Sequence, residues 1–373
     1  MINYHSLVKL TQRLIRIDSQ NPPGDESRIA LYVGSYLKNL GLKVKIYEFR
    51  PKRSNVIAFL RGKGKKSLIV SPHLDTVPSG NNWSLDPFSA KIVKGKIYGL
   101  GATDCKCNLA SLMVAIKSIV EEGSLLPYNL IFAATADEES GSTLGLRPLL
   151  KKGILRADEA LVLDADDFEI IVAQKGLMHL KVKVRGKKAH GAYPDLGVNA
   201  IEASARVIAD IKKLNINFKK SSYLKPPTVN TGTIKGGDKV NVVADWCEFE
   251  LDFRFLPGMH HKRLLFRLRE LLKKYARSFK IEIMGVQNPY IISEEHPLVC
   301  HLKKTFLHFK IKPKVKGSEG ATVITFFKEE GIPAVATGFG VSSCAHTMDE
   351  YVKIANLYKG ARAVEYFLKT YKF

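Results

Sequence analysis

The apolar residues of this chain change their period twice, and that change limits the folds open to it more than any other feature. Two amphipathic helical patterns come first, the second opening after Asn21-Pro22-Pro23-Gly24-Asp25 and closing at Gly41. Short apolar runs then alternate with helical stretches: strands at 44–49, 56–60 and 68–70, a helix at 109–120, a strand at 130–134, a helical stretch from Leu144 and a strand at 160–163. Such alternation predicts an α/β fold with a mostly parallel sheet. After Gln174-Lys175-Gly176 the text changes to a two-residue alternation at 179–184, a long helix at 199–214, further alternating strands at 229–234 and 247–255, and a helix at 260–274 with one apolar and one basic face. The first pattern resumes with a helix at 297–309, a strand at 334–337 and a last helix at 355–368. The expected organisation is therefore a discontinuous first domain, 1–176 and 288–373, whose sheet is completed from both ends of the chain, and an inserted α+β domain at 177–287.

With 373 residues, 45% hydrophobic and 25% charged, the chain can bury a sizeable core, which excludes disordered and fibrous classes. The net charge of +22 raises the question of nucleic acid. The cations, however, lie in many short clusters such as Arg61-Gly62-Lys63-Gly64-Lys65-Lys66, without the aromatic spacing of a single-strand binding platform, so they read as solvated surface and no nucleic-acid partner is expected. No apolar stretch is long enough for a signal-peptide core or a membrane span, from which no membrane association and a cytoplasmic location are expected. Five scattered cysteines form no even framework, and reduced thiols are expected.

In open α/β sheets, ligands bind beyond the carboxyl ends of the strands, so the residues that follow each apolar run carry the information. Here they are acids and histidines. Leu68-Ile69-Val70 leads to His73-Leu74-Asp75, Leu130-Ile131-Phe132-Ala133 to Asp137-Glu138-Glu139, Leu161-Val162-Leu163 to Asp164-Ala165-Asp166, and Ala334-Val335-Ala336 to His346. Gly99-Leu100-Gly101-Ala102-Thr103 places Asp104 just ahead of a helix start. Any one of these acids reads most simply as a helix cap. As a set, two histidines and several carboxylates suit zinc, cobalt or manganese. The adjacent pair Glu138-Glu139 fits a division of labour in which one acid ligates metal and its neighbour takes a proton from water.

The stretches Pro72-His73-Leu74-Asp75-Thr76-Val77-Pro78, Tyr98-Gly99-Leu100-Gly101-Ala102-Thr103-Asp104-Cys105-Lys106, Ala136-Asp137-Glu138-Glu139-Ser140-Gly141-Ser142 and Ala345-His346-Thr347-Met348-Asp349-Glu350 resemble the co-catalytic zinc hydrolases that include acetylornithine deacetylase, succinyl-diaminopimelate desuccinylase, aminoacylase and carboxypeptidase G. The resemblance implies a zinc-peptidase-like three-layer catalytic domain with an inserted lid or dimerisation domain. It implies two divalent metal ions, zinc foremost with cobalt or manganese as alternatives, bridged by Asp104, with His73 and Asp164 at one site and Glu139 and His346 at the other. Glu138 becomes the general base, and Asp75 the carboxylate that fixes the tautomer of His73. His190, in Ala189-His190-Gly191-Ala192-Tyr193-Pro194, is implied to reach the active site of a second copy and stabilise the oxyanion, which makes a homodimer the expected assembly. Asn241 and Arg254 are implied to hold a substrate carboxylate. A cis peptide bond after Asp104 is implied as well.

Three departures bear on specificity. Cys107-Asn108 stands where the family has a glycine pair, Asp164-Ala165-Asp166 where the deacylases usually have Glu followed by Pro, and Glu319-Gly320-Ala321 where Ser-Asp-Ala is usual. Aspartate at 164 leans toward the peptidase branch. The expected activity is hydrolysis of the amide bond of an N-acyl amino acid, with dipeptidase or aminopeptidase activity as the alternative. A binding protein that kept the fold and lost the chemistry is the remaining class, and retention of His73, Asp104, Glu138, Glu139 and His346 argues against it.

Overall fold

The computed structural model describes residues 2–214 and 216–373. The chain forms two compact units, Met1–Val172 with Ile292–Lys316 and Thr322–Phe373, and Ala173–Ile291 with Gly317–Ala321. The five residues Gly317–Ala321, which the sequence pattern assigns to the first domain, belong to the smaller unit, where Glu319 pairs with Lys175 at 2.6 Å and accepts the Lys225 amide at 2.9 Å. A second excursion this short carries no periodicity of its own, so sequence patterning does not register it.

In the larger unit the strands lie in the order Lys43–Glu48, Ser54–Leu60, Asn129–Ala134, Ser67–Ser71, Glu159–Leu163, Ala334–Thr337 and the part of Glu169–Gln174 up to Val172. The central four, from Asn129–Ala134 to Ala334–Thr337, run parallel, and the flanking strands are antiparallel. Their side chains are buried almost throughout, as a sheet covered on both faces requires. The result is a three-layer α/β unit in which the carboxyl ends of four parallel strands share one edge. Helix Lys106–Glu121 is buried around nearly its whole circumference and packs on Tyr4–Ile15 and on Ile354–Thr370. Strand Glu169–Gln174, helix Ile324–Glu329 and the small sheet of Ile92–Val93, Lys96–Tyr98 and Tyr351–Lys353 are elements that the sequence pattern does not anticipate.

The smaller unit is an antiparallel sheet in the order Thr228–Gly236, Trp246–Phe255, Gly176–Arg185 and Ser278–Gln287, with helices Ala200–Ile211 and His261–Tyr275 on it. The inward half of the alternation, Met178, Leu180, Val182, Phe249, Leu251 and Phe253, meets Val207, Leu264, Leu268 and Leu272 in one core. Asn199 caps the first helix, its side-chain oxygen accepting the amides of Ile201 and Glu202 at 3.0 and 3.2 Å. All five cysteines are free thiols, and among the described residues no helix is long and apolar enough to cross a membrane.

Gly360 lies mid-helix in Ile354–Thr370, where a methyl group would stand 2.2 Å from the ring of buried Phe339. Gly360→Ala should therefore lower the midpoint of thermal unfolding, because the steric cost, about 1–3 kcal/mol, exceeds the helix-propensity gain of about 1 kcal/mol. A raised midpoint would show that the helix and Phe339 are not packed as described.

Candidate metal centre

Four of the proposed ligands follow the four parallel strands in spatial order. Glu139 sits on the turn after Asn129–Ala134, His73 follows Ser67–Ser71, Asp164 follows Glu159–Leu163, and His346 lies on the loop after Ala334–Thr337. Asp104 enters from the segment that starts helix Lys106–Glu121, and its peptide bond to Cys105 is cis. The Asp104 carboxylate lies between the two imidazoles, Oδ1 at 2.8 Å from His73 Nε2 and Oδ2 at 3.0 Å from His346 Nε2. Asp164 Oδ1 is 3.7 Å from His73 Nε2, and Glu139 is 3.2 Å from His346 Nε2. Ligand-capable atoms of His73, Glu138 and Asp164 lie within 4.8 Å of one another, as do those of Asp104, Glu139 and His346.

This crowd of acids perturbs its own titration. Burial, reinforced by the charge of Asp164, pushes the Glu138 carboxyl well above the usual range, and burial with neighbouring acids also raises Glu139. Hydrogen bonds from His346 and His73 hold Asp104 low in spite of its burial. His346 is raised to about 11 by its contacts with Asp104 and Glu139. A divalent cation between these oxygens would relieve the same repulsion, and ionised carboxylates with neutral imidazoles are the forms that ligate. The donor set, two imidazole nitrogens each with carboxylate oxygens around it and with the Asp104 carboxylate in contact with both, fits a pair of divalent ions.

Behind the donors stands a buried support. Asp75, fully buried, accepts the amides of Glu138 and Glu139 at 3.1 and 3.2 Å and the Asn21 side-chain amide at 2.9 Å. The contact with His73 Nδ1 is made by the Asp75 backbone carbonyl at 2.9 Å, while the carboxylate expected to fix the tautomer stands at 3.6 Å, and Nε2 is left directed at Asp104. One residue thus orients a ligand histidine and the turn that carries Glu138. That turn begins at Asp137, whose φ of 62° is uncommon for a non-glycine residue. Arg53 holds it there: the guanidinium donates to Glu26 at 2.9 and 2.8 Å and to Asp137 at 3.0 Å, all three side chains being buried. Asp137 also accepts from Thr143 and Leu144. Glu26 and Arg53 escape sequence reasoning, since Arg53 sits in the ordinary basic text Arg50-Pro51-Lys52-Arg53 and nothing local marks it as buried.

The two thiols beside the site are core groups. Cys105 contacts the backbone of His73, Cys107 contacts the carbonyl of Thr103, and burial pushes Cys105 up to about 12 and Cys107 well above its usual value. Asn108 uses its side-chain oxygen to accept the Phe339 amide at 2.9 Å. In the smaller unit His190 is exposed and bridges to Val242, and the Gly191 amide donates to the Asn241 carbonyl at 2.8 Å, so His190 and Asn241 occupy neighbouring loops. Arg254 points its fork at Asp252, with contacts of 2.8 and 3.0 Å.

The family model described as Peptidase family M20/M25/M40 matches residues 69–370. An acetylornithine deacetylase of Vibrio campbellii is 29% identical over 351 residues, which cover 90% of each chain. Among solved structures, a tripeptidase of Staphylococcus aureus superposes with a TM-score of 0.84 at 25% identity, covering 99% of this chain and 98% of its own. An M20 family metallo-carboxypeptidase of Sulfolobus solfataricus has the same fold, with a TM-score of 0.82 at 24% identity and coverage of 98% and 99%.

Arg53→Met would leave Glu26 and Asp137 buried without their cation. The expected loss is about 3–5 kcal/mol of unfolding free energy, read by denaturant titration, with part of it recovered when Glu26→Gln is added. A loss below about 1 kcal/mol would mean that the ion pair is solvated.

Proposed function

This chain belongs to peptidase family M20/M25/M40 and is an amide-bond hydrolase, and from that premise we propose that it removes the acyl group from an N-acyl amino acid at a centre holding two divalent ions. The observation that carries the proposal is the Asp104 carboxylate, which offers one oxygen to the His73 group and the other to the His346 group. His73 and Asp164 would hold one ion, Glu139 and His346 the other, with Asp104 common to both. When bound, such a pair supplies Lewis acidity, polarising the scissile carbonyl and acidifying the attacking water.

The proton chemistry belongs to Glu138. Its backbone is fixed by Asp75 and its carboxylate is not needed as a ligand in this assignment, so it takes the proton of the attacking water and returns it to the departing nitrogen as the C–N bond breaks. We assign oxyanion stabilisation to His190 supplied by a second copy in a homodimer, and recognition of the substrate carboxylate to Asn241 and Arg254. In this reading Arg254 exchanges Asp252 for the substrate, a bidentate contact of the same kind. Zinc suits the mixed imidazole and carboxylate set, as do cobalt and manganese.

A peptide substrate is the second reading, and the aspartate at position 164 favours it. Both reactions use the same steps and separate in the substrate. Assay of N-acetyl and N-succinyl amino acids against di- and tripeptides, with added zinc or cobalt, should show turnover of the acyl amino acids. Preference for peptides would replace the first reading with the second. In either case Glu138→Ala should lower turnover by about two to four decades while the metal content stays near that of the wild type. Wild-type turnover, or loss of metal, in that variant would remove Glu138 from the role of base.

A further inference from the structure

Glu350 takes no part in the ligand set, yet its carboxylate is 1% exposed and is the acceptor for three backbone amides of one loop. Oε2 accepts Gly101 N at 2.9 Å, and Oε1 accepts Thr103 N at 2.7 Å and Asp104 N at 3.0 Å. The loop is tied to the same segment at further points: Gly99 N donates to the Glu350 carbonyl at 2.8 Å, and Thr103 Oγ1 donates to the Tyr351 carbonyl at 2.7 Å. Strands Lys96–Tyr98 and Tyr351–Lys353 pair antiparallel on either side of these contacts. Helix Lys106–Glu121 has no side-chain cap at Cys105, so the amides ahead of it depend on Glu350.

We propose that Glu350 is the positioning residue for the bridging carboxylate, fixing the Asp104 backbone so that its two oxygens stay aimed at the His73 and His346 groups. The assignment rests on the two-ion reading above. Two features favour it over a plain loop pin. The amide of Asp104 itself is one of the three donors, so the contact acts on the shared ligand's own backbone. Glu350 is also four residues from His346, so a single short segment carries the second imidazole and the clamp on Asp104. A displacement of either loop thus moves both sides of the His346 group. Only a carboxylate meets this demand: two oxygens with free lone pairs receive three N–H groups, whereas the amide of glutamine would turn an NH2 against at least one of them.

Cobalt binding by the metal-stripped full-length chain, followed by visible absorption and by competition with a chelator, tests this role. Glu350→Gln should bind Co2+ at least about tenfold more weakly, in the range seen when a group behind a metal ligand is removed, and with an altered ligand-field spectrum. Glu350→Asp, too short to reach all three amides, should lie between. Asp349→Asn, beside it in sequence but bonded to Ser84, should bind as the wild type does. Wild-type affinity and spectrum in folded Glu350→Gln would overturn the proposal. Should that variant not fold, amide hydrogen exchange in the wild-type protein decides: Gly101, Thr103 and Asp104 should exchange as slowly as strand Ser67–Ser71, and rapid exchange would refute the clamp. Failure of the wild-type chain to take up Co2+ at all would instead overturn the two-ion reading, and this assignment with it.

Discussion

Carboxylates repel one another, and the ends of four parallel strands in this protein hold several of them within reach of two imidazoles. Asp104, Glu138, Glu139 and Asp164 gather around His73 and His346 with ligand atoms no more than 4.8 Å apart inside each group. Left to themselves, such groups would separate or take up protons, and burial first, with the neighbouring charges added to it, raises the titration of Glu138 and Glu139. The surrounding structure supplies the restraint. Asp75 grips the Glu138–Glu139 turn from below, Arg53 and Glu26 hold Asp137 in its left-handed conformation, and Glu350 secures the loop that ends in Asp104. Each restraint is a buried acid or base whose hydrogen bonds go to backbone, to a side-chain amide or to a partner of opposite charge, the condition under which burial of charge is tolerated.

This division separates what acts from what positions. The residues that would touch ions or substrate lie at strand ends and loops, all but buried His73 at least partly open to solvent, while the residues that aim them are buried and, apart from Asp75 beside His73, distant in sequence. Glu350 and Asp104 are 246 residues apart, Arg53 and Asp137 84 apart. The centre is therefore a property of the completed sheet and not of any local segment.

The parts of the molecule that were legible in the sequence are those encoded by local period and motif. Alternation of apolar runs and helices reads out the central sheet, and the buried strand Ala334–Thr337 matches the run 334–337 residue for residue. The strict alternation of 247–255 gives strand Trp246–Phe255 and its inward row. Strand Ser278–Gln287 is missed because Gly285 and a register shift beside it break its alternation. Strand Glu169–Gln174 is missed for another reason: the turn before it, Asp167-Phe168, directly follows Asp164-Ala165-Asp166, acids that the motif reading takes for the site and not for the start of a new element. At the centre, the acids and histidines announce themselves by following strands. Arg53, Glu26 and Asn21 do not, since only tertiary packing distinguishes a buried ion pair from a solvated one.

The shared carboxylate is the element on which the account turns, and equilibrium titration of metal into the stripped chain measures it directly. The wild type should take up two equivalents of Zn2+ or Co2+ per chain, and Asp104→Ala should lose tight binding at both sites together, because its carboxylate touches both imidazoles. Two tight equivalents retained by Asp104→Ala, or a single equivalent in the wild type, would contradict a two-ion centre built on Asp104.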